Sequence, residues 1–135
     1  MISLFKRIFK ETKEPEDLEL IEQMFEIKKQ FESINLEVQN GLKSELVEEQ
    51  IAVVDKALEE LPRLDNVVRA LPPPKDEHRR RYLAYLPEVF TAYVLFCRHC
   101  KASLIQNNHN ESKLAMSYLK EAIRLLKEAH RKFKL

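Results

Sequence analysis

Apolar residues recur along most of the chain at alternating steps of four and three, the spacing that places them on one face of an α-helix. The first run comprises Leu20, Met24, Ile27, Phe31, Ile34 and Val38. Pro15 and the carboxylates around it suit a first helical turn, where no amide proton is needed and the helix dipole favours negative charge. Gly41 suits a left-handed residue that ends the helix. The pattern therefore predicts a long first helix between these two residues.

Two further helices are predicted on either side of a proline-rich turn at 72–74. The second follows Ser44, a candidate N-cap. The third begins near Asp76, and apolar residues cover much of its circumference, so we expect it to be the most buried helix. Pro62 and Pro87 lie inside these patterns. Each proline removes a backbone hydrogen bond, so we expect it to bend or break its helix.

A polar loop at 106–110 separates the third helix from a fourth. Asn108 and Glu111 have the spacing of a capping box at its start. The fourth apolar stripe comprises Ala115, Leu119, Ala122, Leu126, Ala129 and Phe133. Four such helices joined by short loops predict an all-α fold, an up-down-up-down antiparallel four-helix bundle over residues 14–135.

Residues 1–13 precede the first helix and form a predicted amphipathic N-terminal arm or short helix. On a helical projection its apolar residues fall within one arc of about 160°, and its cations lie opposite. This combination is typical of a helix that lies in a membrane interface. Candidate membrane or partner contacts are Ile2, Phe5, Lys6, Arg7, Ile8, Phe9 and Lys10. The alternatives are docking on the bundle, docking on a second copy, or fraying.

Composition and charge narrow the function classes. A chain of 135 residues fits one domain, and its single glycine excludes a glycine-rich phosphate loop. Residues 11–60 carry a net charge of −10 and residues 61–135 a net charge of +8. Mutual attraction between the two halves is one interpretation, and a basic face for nucleic acid or anionic lipid is the other. Arg79, Arg80 and Arg81 are candidate contacts for an anion or a partner.

The cysteines and histidines give no strong metal or redox motif. Cys97 and Cys100 flank His99, but a zinc site needs four ligands, and a thioredoxin-like site follows a strand. We expect both thiols to be small apolar groups on a helix, reduced in the cytoplasm. The longest apolar stretch is interrupted by Pro87 and Glu88, so we expect no membrane-spanning helix.

Arg124 and His130 are similar in spacing to the Arg-x4–6-His pattern of the all-α HEPN ribonucleases. The chain has nine arginines and four histidines, so about one such pair is expected by chance. Leu125 also stands where that family carries a polar residue. We therefore predict no catalytic, cofactor-binding or metal-binding residue, and no small-molecule substrate.

The sequence favours a non-catalytic helical protein that acts through protein–protein contact, as a homo-oligomer or with another protein. A peripheral membrane accessory protein, anchored by the N-terminal arm, is the first alternative. A nucleic-acid-binding or ribonuclease module that uses the basic C-terminal half is the second and weaker one. The expected location is the cytoplasm, or the membrane periphery under the first alternative.

Overall fold

The computed structural model describes the backbone of residues 15–133 and the side chains of residues 18–132. It contains four helices: α1, Pro15–Gly41; α2, Val47–Ala70; α3, Glu77–Gln106; and α4, His109–Phe133. No strand occurs among these described residues, so the all-α fold class is confirmed. The predicted N-terminal arm lies outside them, as do its candidate contacts Ile2, Phe5, Lys6, Arg7, Ile8, Phe9 and Lys10.

The helix α3 supplies the largest share of the core. Nine of its residues are buried, more than in any other helix of the described chain. It packs against both α2 and α4, and α1 packs against α2. The prediction that the third helix is the most buried is therefore confirmed, because apolar residues around its circumference meet neighbours on several sides.

Aromatic side chains pack between α1 and α3. The ring centroid of Phe31 lies 5.4 Å from those of both Phe90 and Tyr93, and Tyr93 lies 5.2 Å from Phe96. The Tyr93 hydroxyl donates a 2.7 Å hydrogen bond to Oδ1 of Asn35. These tilted and edge-on contacts are the preferred geometries of aromatic pairs, and the hydrogen bond satisfies the one polar atom of a buried ring.

Both internal prolines are accommodated within continuous helices. Pro62 lies inside α2 and Pro87 inside α3, and neither helix ends there. A break, one of the two predicted outcomes, is therefore excluded. Tertiary packing along α2 and α3 supplies the free energy that offsets the lost backbone hydrogen bonds.

The starts of α2 and α3 differ in how well the sequence predicted them. Asp76 is the N-cap of α3, and its Oδ1 accepts a 2.8 Å hydrogen bond from the backbone N–H of His78. In contrast, the N-cap of α2 is Leu46, and the prediction of Ser44 is wrong. The Ser44 hydroxyl instead accepts from the Leu46 N–H and donates to Glu49. Ser44 thus orders the loop before the helix.

Only one of the two hydrogen bonds of the predicted capping box forms at the start of α4. Oδ1 of Asn108 accepts a 2.9 Å hydrogen bond from the Asn110 N–H, as an N-cap should. The Glu111 carboxylate binds His99 of α3 instead of returning to the cap. Just before this cap, Asn107 adopts the left-handed conformation, with φ of 50°, that ends α3.

Gly41 has a role other than the predicted one. Its φ is not positive, so it does not end α1 in the left-handed conformation. A Cβ atom at this position would meet Cγ1, Cβ and Cγ2 of Val53 at 2.5, 2.7 and 2.8 Å. The glycine is therefore required for the close approach of α1 to α2.

The apolar stripe of α4 faces the core over most of its length. Ala115, Leu119, Ala122 and Ala129 are buried as predicted. Leu126 is only half-buried, although it packs against the core cluster. The side chain of Phe133 lies outside the described residues.

Replacing Gly41 with Ala should destabilise the protein by about 1–2 kcal/mol, because the new methyl group overlaps the rigid Cβ of Val53. Urea denaturation measures the change. In a Val53→Ala background the same Gly41→Ala substitution should be neutral or slightly stabilising. An equal cost in both backgrounds would contradict the close-approach explanation.

Leu61→Ala should lower the free energy of unfolding by about 2–5 kcal/mol, because Leu61 is 0% exposed in the core. Leu126→Ala should cost less, about 1–2 kcal/mol, since part of its side chain already meets solvent. Lys127→Ala, at an exposed position, should change the free energy of unfolding by under about 0.5 kcal/mol. If thermal melts give the three variants the same melting temperature, the assignment of these residues to core and surface is wrong.

Candidate functional site

The three consecutive arginines at the start of α3 are engaged in local contacts. Arg79 binds the Asp76 carboxylate at 2.7 Å, and Arg81 binds Glu77 at 2.6 Å. Arg80 donates to the backbone carbonyls of residues 74 and 75 in the proline turn. The acidic groups offset the unfavourable placement of cations at a helix start. Arg79 and Arg80 thus hold the segment before the helix, and Arg81 forms an ion pair within α3.

The two cysteines lie on the inner side of α3. Cys97 is buried and Cys100 is half-buried, and both thiols are free. Burial raises the pKa of Cys97 to about 12 and also raises the pKa of Cys100. A thiol with a raised pKa is a weak nucleophile and a weak metal ligand at neutral pH. Within the described residues, no group of three or more metal-binding side chains surrounds them.

Arg124 and His130 are not brought together. Arg124 lies on the outside of α4 and binds Glu121 at 2.6 Å. His130 is half-buried, and its Nε2 lies 3.1 Å from the hydroxyl of Tyr82. Six residues on a helix place two side chains about 120° apart, which explains the separation. The ribonuclease-like spacing therefore does not form a joint site in this fold.

The pair of Tyr82 and His130 joins the first turns of α3 to the last turns of α4. Their rings stack with centroids 5.7 Å apart. Burial lowers the pKa of His130, Lys28 lowers it further, and Glu32 opposes both. Burial also raises the pKa of the Tyr82 hydroxyl. Burial thus favours the neutral form of each side chain, as expected of an interhelical hydrogen bond.

A second histidine pair lies at the other end of the same interface. Nδ1 of His99 lies 2.5 Å from Oε2 of Glu111, and the His99 ring stacks on Tyr118 with centroids 5.3 Å apart. A carboxylate that orients an imidazole is also found in catalytic dyads. Here no described hydroxyl or thiol forms a hydrogen bond with Nε2 of His99, so the pair acts as a tie between α3 and α4.

Two open grooves run along the helix seams. The larger, about 520 Å³, lies between α3 and α4. Ala92, Leu95, Tyr118 and Leu125 contribute to its apolar lining. The smaller, about 430 Å³, lies between α1 and α2. The larger groove also has polar side chains in its lining, among them Arg69, Glu88, Thr91 and Glu121.

Four of the large exposed apolar side chains lie near the ends of α2, α3 and α4. The ion pair between Lys101 and Asp55, at 2.7 Å, places the end of α3 beside the first turns of α2. The contact of His99 with Glu111 places it beside the start of α4. The large exposed apolar side chains in these segments define what we name the apolar end: Leu46, Val47, Ile105 and Leu114.

Sequence reasoning missed the apolar end. The apolar steps of α2 run from Val47 through Ile51 to Val54 and predict a buried Val47, yet this first residue of the helix is exposed. Ile105 and Leu114 lie off the predicted stripes of their helices. The position of these residues off the apolar stripes was the one feature of the sequence that could have predicted their exposure. It is a weak signal, because single exposed apolar residues are common in proteins.

None of the four described helices combines the length and apolarity needed to cross a bilayer.

Protein stability should fall as pH is lowered through the titration of His130. The folded state lowers its pKa below the ordinary 6.5, so the unfolded state binds the proton more tightly. Stability is therefore full above about pH 6.5 and decreases below it. Denaturation from pH 8 to 5 should show a steeper loss for the wild type than for His130→Gln. Equal losses would mean that His130 is not buried as described.

No protein-family model, curated protein or solved structure matches the chain.

Proposed function

We propose that the protein is non-catalytic and acts through protein–protein contact, with a second copy of itself as the partner. The apolar end is the observation that supports this proposal. Leu46 and Ile105 are 60% and 62% exposed, although both are large aliphatic side chains. Exposed apolar groups gathered in one place mark contact surfaces more often than scattered ones do.

Burial of these side chains supplies the driving force for association. Removing apolar surface from water contributes roughly 25 cal/mol per Å². In a twofold pairing each copy presents the same patch, so every exposed leucine, isoleucine or valine can meet another from the partner. Glu45 and Glu48 lie beside this patch in sequence and Lys43 precedes it, so charges of both signs are available for its rim.

The proposal includes the up-down-up-down antiparallel arrangement. It is supported by contacts between helix ends: Lys101 with Asp55, and His99 with Glu111. That arrangement places the loops at 42–46 and 107–108 at the same end of the molecule, which concentrates the exposed apolar residues there. We also propose a cytoplasmic location, where two free thiols remain reduced.

Val47→Ser should weaken self-association, measured by analytical ultracentrifugation over a range of concentrations. Val67→Ser is the matched control, because it lies in the same helix and is equally exposed, at 49% against 48%. The two positions are 20 residues, or about 30 Å, apart. We expect a dissociation constant raised at least about tenfold for Val47→Ser and unchanged for Val67→Ser.

The double variant Leu46→Ser with Ile105→Ser should be monomeric at concentrations where the wild type associates. Both positions are exposed, so the fold should be retained, and circular dichroism checks this. A wild-type protein that is monomeric throughout, or an equal effect of Val47→Ser and Val67→Ser, would contradict the proposed interface.

A further inference from the structure

One line of side chains on α4 faces away from the core. Its members follow one another at steps of three and four residues, so they form a single row along the helix. We name this row the cationic face: Lys113, Met116, Lys120, Ile123 and Lys127. All five are exposed, and Met116 and Ile123 retain 48% and 40% of their accessible surface.

The lysines of the cationic face differ from the other cations of α4. Arg124 binds Glu121 and also lies 4.0 Å from Glu128. Arg131 and Lys132 bind Glu128 at 3.4 and 3.2 Å. In contrast, the three lysines of the cationic face form no ion pair within residues 18–132. One helix therefore carries three cations that are paired with two glutamates, and three lysines that are free to bind an external anion.

We propose that the cationic face binds the anionic surface of a membrane. Met116 and Ile123 lie between the lysines, at the depth where apolar side chains can enter the boundary between headgroups and acyl chains. The long lysine stems can pass beside them and carry their ammonium groups to lipid phosphates. The helix would then lie parallel to the membrane, with the bundle above it.

The composition of the face favours lipid over other anionic partners. Its five members include no aromatic residue, and the two arginines on the same side of α4, Arg124 and Arg131, are paired with glutamates. Protein interfaces are depleted in lysine, and their strongest contacts come from Trp, Tyr and Arg. Proteins that bind single-stranded nucleic acid place aromatic side chains where bases stack. Lysine beside aliphatic residues is instead typical of helices at a membrane surface.

The sequence of residues 1–10 also combines apolar residues with cations. Five large aliphatic or aromatic residues there accompany three cations. One short amphipathic segment binds a membrane only marginally, and stable attachment takes two signals. The cationic face supplies a second signal of a matching kind. This inference does not depend on the proposed self-association, which uses other residues.

Co-sedimentation of the full chain with vesicles tests the proposal. We expect binding to vesicles of phosphatidylcholine mixed with phosphatidylserine, weak binding to phosphatidylcholine alone, and a loss of binding as salt is raised. The triple variant Lys113→Gln, Lys120→Gln, Lys127→Gln should bind at least about tenfold more weakly, since each cation near the surface contributes to the attraction. Met116→Ser with Ile123→Ser should also weaken binding.

The matched control is the triple variant Arg124→Gln, Arg131→Gln, Lys132→Gln. It removes the same number of positive charges from the same helix, but from residues already paired with glutamate. We expect a smaller loss of vesicle binding than in the lysine triple variant, because the removed cations are already paired with carboxylates, even though the freed Glu121 and Glu128 then repel the anionic surface. Circular dichroism confirms the folding of each variant.

Three results would overturn the proposal. The first is a wild-type protein that does not bind phosphatidylserine vesicles. The second is an equal loss in both triple variants, which would mean that net charge alone governs binding. The third is a lysine variant that binds vesicles normally but no longer self-associates, which would assign the face to a second copy. The Val47→Ser variant should bind vesicles like the wild type. A failure of the self-association proposal can therefore be distinguished from a failure of the membrane proposal.

Discussion

The burial of α3 on several sides is the constraint on which the rest of the structure depends. A helix with apolar residues around much of its circumference is stable in water only when neighbours cover it. The Phe31 ring of α1 packs on Phe90 and Tyr93, while α2 and α4 cover other parts of α3. Because the inner faces of α1, α2 and α4 cover α3, their outer faces and the ends of the helices are the surfaces that remain accessible to a partner.

Some charged side chains form ion pairs within the fold, and others form none within the described residues. Arg79, Arg81 and Arg124 bind carboxylates one helical turn away, so the arginines that look most functional in the sequence are neutralised locally. Lys101 and Asp55 join the basic and acidic halves of the chain across helices. Most other ion pairs lie within one helix, where each contributes only a few tenths of a kcal/mol.

The two proposed surfaces are compatible in one molecule. The apolar end is formed by helix termini and loops, whereas the cationic face runs along the side of α4. Self-association through one end would leave that side of each copy open. Each surface can be disabled separately, because no residue belongs to both.

The sequence by itself determined the four helices, the buried third helix, the start of α3 near Asp76 and the cap at Asn108, because these depend on local periodicity and local hydrogen bonds. Tertiary structure alone decided the role of Gly41, which rests on contact with Val53, and the exposure of Val47 at the first residue of α2. It also decided which lysines of α4 are unpaired. A one-dimensional pattern specifies which face of a helix is apolar, but the extent to which each residue is covered depends on distances between helices that are remote in sequence.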